Sequence, residues 1–150
     1  MDAIDRAIIA QLMADGRLPN NELADRVGLS PSPCLRRVRA LEAAGVITGY
    51  HAAVDPHALG RGLVVLVHVD MADQRAETIE AFEAACLGLD EIVSCRRMFG
   101  SPDYLIQVAV PDIEAYEQFY MAELTRMPGV ARTASQFAMK TVKVTPGHRW

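Results

Sequence analysis

Residues 29–49 read LSPSPCLRRVRALEAAGVITG and have the composition of a helix that starts at two prolines. Proline is tolerated in the first helical turn, where its missing N–H would have no partner, and it disfavours helical geometry in the residue before it. Ser32 is therefore a natural N-cap, with Pro33 as the first helical residue. Ser30 and Pro31 offer the alternative frame. Either frame predicts a rigid helix start with seryl oxygens and free backbone amides at its tip, which suits a phosphate.

This helix carries three arginines within four residues. At about 100° per residue, the side opposite its apolar residues is centred near Arg36, with Arg39 close by and Arg37 at the flank. The apolar side consists of Leu35, Val38 and Leu41. A guanidinium group can bridge two acceptors on guanine or grip a phosphate, so this side is typical of the DNA-reading helix of a helix-turn-helix, although an ordinary solvated face explains it equally well. The candidate DNA-binding residues are Ser30, Ser32, Pro33, Arg36, Arg37 and Arg39.

Two further helices precede this segment. An apolar stripe from Ile4 to Leu12 predicts the first of them. Asn20 is a plausible cap for a short second helix, which Gly28 would end. Three helices within residues 1–50 predict a compact helix-turn-helix domain.

The hydrophobic period changes after residue 61. Residues 51–61 carry turn-forming residues without periodicity, so we interpret them as a hinge with room for one strand. Residues 62–150 then read as strand, helix, strand, strand, helix and strand, ending in a β-rich stretch at 130–144. That order is the split βαβ pattern of a ferredoxin-like domain, and it predicts an α+β protein with a second domain at 62–150.

Composition limits the possible functions. The chain has 150 residues and a net charge of −4, and 51% of its residues are hydrophobic, which is enough for a core. It has no apolar run of the ~18 residues that a membrane span needs and no signal-type start, so we expect a cytoplasmic protein. Its three cysteines are widely spaced without a CxxC pair and are expected to be reduced and mostly buried. The four histidines lack metal-type spacing, and we predict neither a metal nor a cofactor.

Several stretches resemble the Lrp/AsnC family, the feast/famine transcriptional regulators of bacteria and archaea. The segment DGRLPNNELADRVGLSPSPCLRRVRALEAAGVITGY is similar to the N-terminal pattern of that family, and ALG, FGSPDYLIQV, VPDIEAYEQF and MPGV are similar to landmarks of its C-terminal half. The resemblance implies a winged helix-turn-helix followed by a ferredoxin-like effector (RAM) domain, which dimerises through its sheet and often assembles into an octamer. It implies a regulator of amino-acid metabolism or transport. The assembly of such a regulator and its binding to double-stranded DNA respond to a small effector, expected to be an amino acid.

The GSPD sequence at 100–103 lies between two predicted strands. The residues alone predict a hairpin turn in which the aspartate bonds its own backbone. In the family that the chain resembles, this loop also lines the small-molecule site, and an Asp at the place of Asp103 is tied to the effector response. A carboxylate can hold an α-ammonium group while loop amides hold an α-carboxylate. The resemblance gives as candidate effector-binding residues Arg97, Gly100, Asp103, Tyr104, Ile113, Gln136 and Phe137.

Two other classes of protein are alternatives. Small ferredoxin-like domains can be enzymes, and Cys34 lies at a helix start near arginines, where a thiol pKa can fall. Its place on the inner side of the helix favours packing instead, and we predict no enzymatic activity. The other alternative is a ligand-binding or assembly module without sequence-specific DNA binding.

Overall fold

The computed structural model of the chain describes residues 1–143 and separates two compact units. The first unit contains Met1–Ala53, and the second contains Val54–Val142. None of the helices within residues 1–143 combines the length and the apolar character needed to cross a membrane.

The first unit consists of three α-helices around one core. The helices are α1 (Ala3–Ala14), α2 (Asn20–Arg26) and α3 (Pro31–Ala43). The buried side chains of this core, which include Leu18 from the loop between α1 and α2, are Ile8, Leu18, Leu23, Ala24, Cys34, Val38 and Leu41. Gly28, between α2 and α3, has a φ of +70°, a left-handed conformation that favours glycine and permits a short turn. No strand is assigned within residues 1–53, so the helices define this unit in the part of the chain that is described.

The structure selects the earlier of the two frames for α3. Ser30 is the N-cap and Pro31 the first helical residue, so the Ser32 frame is wrong. The buried side of α3 is formed by Cys34, Val38 and Leu41, at the spacing i, i+4, i+7. Leu35 is 38% exposed, and its predicted inward position is wrong because the buried stripe begins one residue earlier.

Asn20 connects two helices and does not cap α2. It is the first residue of α2, whose N-cap is Pro19. The Asn20 Nδ2 atom donates a hydrogen bond to the Pro31 carbonyl oxygen at 2.9 Å. The predicted capping role is therefore wrong. The side chain instead fixes the start of α2 against the start of α3.

The second unit is a four-stranded antiparallel sheet with helices packed on one face. The strands, β1 (Leu63–Met71), β2 (Ile92–Arg97), β3 (Tyr104–Val110) and β4 (Val130–Phe137), lie in the order β2-β3-β1-β4. The helices are α4 (Ala76–Leu87) and α5 (Ile113–Ala122). This element order confirms the predicted ferredoxin-like α+β fold. Residues 51–61 contain a 3₁₀ turn at His57–Leu59 and no strand, and β4 ends earlier than the predicted stretch at 130–144.

The two faces of this sheet differ. On β1, Val65, Val67 and Val69 are fully buried in the core that includes α4 and α5 residues. Side chains alternate along a strand, so the intervening residues of β1 lie on the other face. That face, which we call the open sheet face, is not part of the core cluster and carries the apolar residues Val64, Leu66 and Leu105.

Candidate DNA-binding and effector-binding sites

The outward side of α3 carries two exposed arginines. Arg36 and Arg39 lie away from the buried stripe of α3, and residues three apart on a helix are neighbours. Among residues 1–143, no ion pair to either guanidinium group is found. Ser32 is also exposed, one helical turn before Arg36. This side of α3 therefore offers two cationic groups and a hydroxyl to a partner from solution.

Two prolines limit the number of backbone amides at the tip of α3. Pro31 and Pro33 both lie in the first turn and lack an N–H, so Ser32 provides the only amide hydrogen of residues 31–33. The Ser30 side chain makes no capping hydrogen bond. The two prolines thus limit the number of free amides at this tip. Any phosphate at this tip would be bound mainly by seryl hydroxyls.

Arg37 has a different environment from the other two arginines of α3. Its guanidinium group donates hydrogen bonds to Asp2 Oδ2 at 2.8 Å and to Asp5 Oδ1 at 2.7 Å. The two aspartates form the capping box of α1, in which the Asp5 amide donates to Asp2 and the Asp2 amide donates to Asp5. We call these three residues the Asp2–Asp5–Arg37 cluster. The cluster holds α3 against the start of α1, so Arg37 already has partners within the unit.

The Asp2–Asp5–Arg37 cluster leads to a pH-dependent prediction. The Asp5 amide and then Arg37 hold the pKa of Asp2 below its usual range, and the Asp2 amide and then Arg37 do the same for the pKa of Asp5. A lowered folded-state pKa stabilises the fold above the unfolded aspartate pKa of about 3.9, and this contribution is lost as pH falls through the folded pKa. We expect Arg37→Gln to lower the melting temperature at neutral pH, with the difference shrinking below about pH 4.

Scanning calorimetry of the full chain over this pH range measures the effect. Arg39→Gln is the matched control, since it makes the same substitution on the same helix at an exposed residue. The control should leave the melting temperature unchanged. A loss at Arg37→Gln that is equal at every pH would contradict an ionic origin.

A pocket of ≈ 470 Å³ lies beside the loop between β2 and β3 in the second unit. Its volume falls in the range of ~300–1,000 Å³ that is typical of small-molecule sites. Four of the predicted effector residues line it: Arg97, Gly100, Asp103 and Tyr104. The other lining residues are Met71, Gln74, Ile79, Met98 and Phe99. We call this cavity the loop pocket.

Asp103 connects the loop to the end of β1. The Met98 amide donates to the Asp103 carbonyl oxygen at 2.8 Å and closes the loop. The Asp103 carboxylate accepts from the Met71 amide at 2.7 Å and from Gln74 Nε2 at 2.8 Å. The predicted bond from this side chain to its own backbone is therefore wrong. Each carboxylate oxygen keeps a second lone pair, so the group can still accept a hydrogen bond from a ligand.

Tyr104 forms the rigid floor of the loop pocket. Its side chain is 2% exposed, and its ring lies 4.6 Å from that of Phe82, measured between centroids. Its hydroxyl donates to Glu83 Oε1 at 2.6 Å. Burial first, and the Glu83 carboxylate second, raise the pKa of Tyr104 above its usual range. The phenol therefore stays neutral and holds one orientation.

Three predicted effector residues lie elsewhere in the second unit. Phe137 pairs with Val65 and Tyr104 pairs with Val69, so four residues of β1, or ~13 Å, separate them along the sheet. Phe137 packs edge-on against Tyr116 at 5.5 Å. The other two residues are Gln136, on the open sheet face, and Ile113, which is 68% exposed at the start of α5. Within one copy of the chain, these three residues do not line the loop pocket with the other four.

Met71 and Gln74 are pocket residues that the sequence analysis missed. The hydrophobic pattern of the sequence predicts that Met71 lies in a strand, and it predicts no binding role for Gln74. Only the register of β1 against the β2–β3 hairpin shows that β1 ends beside Asp103. A single sequence contains no signal for that register.

Proteins similar to this chain are transcriptional regulators. The leucine-responsive regulatory protein of Salmonella typhimurium is 44% identical over 143 residues, which are 95% of this chain and 87% of the relative. A transcriptional regulator from Neisseria meningitidis, solved as an L-Met complex, has a TM-score of 0.92 and 36% identity, with 99% of this chain and 96% of that chain covered. An AsnC family transcriptional regulator from Agrobacterium tumefaciens has a TM-score of 0.90 and 36% identity, with 99% and 97% covered.

Family models match both halves of the chain. Residues 1–48 match a winged helix-turn-helix DNA-binding model, and residues 64–147 match a model of the Lrp/AsnC ligand binding domain. Together with the exposed arginines of α3 and the loop pocket, these matches define a DNA-binding transcriptional regulator with a ligand-binding domain. The chain belongs to the Lrp/AsnC family, which confirms the resemblance of its motifs.

Proposed function

We propose that this regulator senses a free amino acid in the loop pocket and controls genes of amino-acid metabolism or transport through DNA contacts of α3. The observation that carries the proposal is a pocket of ≈ 470 Å³ whose wall includes a carboxylate, Asp103, and a guanidinium group, Arg97. A zwitterionic amino acid offers the complementary charges. The Neisseria meningitidis regulator solved with L-Met and the relatives named leucine-responsive support an amino-acid effector.

In the proposed DNA complex, α3 lies in the major groove. Arg36 and Arg39 reach base edges or phosphates, and their exposure without ion pairs in residues 1–143 supports this role. The Ser30 and Ser32 hydroxyls contact the DNA backbone, with Pro33 beside them. Arg37 acts indirectly, because the Asp2–Asp5–Arg37 cluster sets the rotation of α3.

In the proposed effector complex, Asp103 holds the α-ammonium group through the lone pairs that Met71 and Gln74 leave free. Arg97 and the loop amides take the α-carboxylate. The apolar lining takes the effector side chain, and it consists of Met71, Ile79, Met98 and Phe99. Such a site recognises the zwitterionic end that all amino acids share, and it selects among them by their side chains.

We further propose that the chain forms dimers through the open sheet face and that dimers assemble further, up to an octamer. Val64 on that face is 43% exposed, and Phe99 at the tip of the β2–β3 hairpin is fully exposed, so both present apolar surface to a second copy. Gln136 and Phe137 lie on opposite faces of β4 and neither lines the loop pocket, so one copy of the chain does not bring both to that pocket. An effector bound between copies would favour one assembly over another and so couple the pocket to DNA binding.

Sedimentation velocity tests the assembly. We expect the purified chain to sediment as a dimer or a larger species. Leu66→Lys, which places a charge on the open sheet face, should shift it toward a monomer. A parent protein that is monomeric at micromolar concentration would contradict the proposed assembly.

A gel-shift experiment tests the function. The full chain is titrated onto DNA from upstream of its own gene, with and without each of the twenty amino acids. We expect binding that resists an excess of unrelated DNA and that changes with at least one amino acid. Binding that unrelated DNA removes completely would favour a ligand-binding or assembly module without specific recognition.

A further inference from the structure

Two of the three cysteines lie on the wall of one cavity, and neither has a part in the proposed function. Cys86 lies near the end of α4 and is 5% exposed, whereas Cys95 lies on β2 and is exposed. Helix α4 packs against β2, and both thiols line the same cavity. The expectation of mostly buried thiols is confirmed for Cys34 and Cys86, whereas Cys95 is exposed.

A cavity of ≈ 680 Å³ gives access to both thiols. Cys86 and Cys95 both line it. A small molecule that enters can therefore reach the exposed Cys95, whereas Cys86 is almost completely buried. The charged residues that line this cavity are Arg61, Glu83, Asp90 and Arg97. The buried Tyr104 hydroxyl, held by Glu83, is also part of the wall.

The two thiols differ in reactivity. The interaction with Cys86 holds the pKa of Cys95 below its usual range, and the interaction with Cys95, followed by burial, raises the pKa of Cys86. The thiolate is the nucleophilic form of cysteine. Cys95 is thus the accessible sulfur that loses its proton first, and Cys86 is the protonated neighbour. An accessible low-pKa thiol beside a second cysteine is the arrangement found in oxidation-sensitive pairs.

We propose that Cys86 and Cys95 are a reversible oxidation site that forms an intramolecular disulfide when it meets a hydroperoxide. The Cys95 thiolate attacks one peroxide oxygen, the O–O bond breaks, and the other oxygen leaves as an alcohol or water after taking a proton. The resulting sulfenic acid is attacked by Cys86, which forms the S–S bond and releases the hydroxyl, with the Cys86 proton, as water. Overall, two thiols give up two electrons and two protons to one peroxide. A dithiol reductant reverses the reaction by exchange.

Mass spectrometry of the full-length protein treated with hydrogen peroxide tests the proposal. We expect the intact mass to fall by two hydrogens and a non-reduced digest to contain the Cys86–Cys95 cross-linked peptide. Dithiothreitol should restore the starting mass. Cys34 is fully buried, and its thiol should become alkylated only after unfolding.

Two variants separate the roles of the sulfurs. Cys95→Ser, at an exposed residue, should remove both the cross-link and the fast peroxide reaction. Cys86→Ala should leave a sulfenic acid at Cys95 that dimedone can trap, formed more slowly because Cys86 no longer lowers the pKa of Cys95. Circular dichroism verifies that both variants fold. Parent protein that yields only sulfinic or sulfonic acid at Cys95, only disulfides between chains, or no change would overturn the proposal.

Discussion

Replacing Arg36 with alanine is expected to weaken sequence-specific DNA binding by about 1–3 kcal/mol, a loss of roughly 5- to 150-fold in affinity. The loss would follow from removing the guanidinium group that we propose bonds two acceptors on one base. Folding should be unaffected, because Arg36 is exposed and makes no ion pair within residues 1–143. Fluorescence anisotropy with a labelled operator measures the affinity, and circular dichroism measures the fold.

Two further variants make the Arg36 result specific. Arg6→Ala removes an exposed arginine from α1 and should change the affinity little. Arg36→Lys keeps the charge but cannot form the bidentate contact. If Arg36 bonds a base, the affinity of Arg36→Lys for DNA should lie between those of the parent and Arg36→Ala. Unchanged affinity at Arg36→Ala would remove Arg36 from the interface.

Replacing Asp103 with alanine is expected to abolish the effector response while leaving basal DNA binding intact. The substitution removes the carboxylate proposed to hold the ammonium group. It also leaves the Met71 amide without its acceptor, which costs on the order of 1 kcal/mol of stability. Calorimetric titration with L-methionine and L-leucine measures binding, and thermal unfolding measures stability.

Asp103→Asn separates these two effects. Its amide oxygen can still accept the Met71 hydrogen bond, so the melting temperature should stay near that of the parent. Its lack of charge should still prevent tight binding of the ammonium group. If either Asp103 variant bound an amino acid with the affinity of the parent, Asp103 would not be the group that holds the ammonium group.

The sequence predicts the elements of both units well, because hydrophobic periodicity is local. The order of strands and helices after residue 61 and the outward position of Arg36 and Arg39 follow from spacing alone. The inner face of α3 is harder to predict, since Cys34 and Leu35 are apolar neighbours in the sequence and either could begin the buried stripe. Packing against α1 and α2 decides between them, and a single sequence does not contain that information.

The effector residues show a second limit. Strand alternation already implies that Gln136 and Phe137 point to opposite faces, yet the resemblance assigned both to one site. Conversely, the contact between Asp103 and the Met71 amide depends on the relative position of β1 and the β2–β3 hairpin, which are separated by α4. Contacts of this kind depend on how elements that are distant in sequence pack together, and so does the placement of Cys86 and Cys95 in one cavity.

The Asp2–Asp5–Arg37 cluster affects how an ionic-strength titration of operator binding should be interpreted. The slope of log affinity against log salt is usually converted into a number of neutralised phosphates. Here added salt would also screen the partly exposed charges of the cluster, which hold α3, the helix proposed to contact DNA, against α1. The apparent phosphate count of the parent would then be too high. A parallel salt titration of Arg37→Gln, in which these ion pairs are already absent, would give the corrected number of neutralised phosphates.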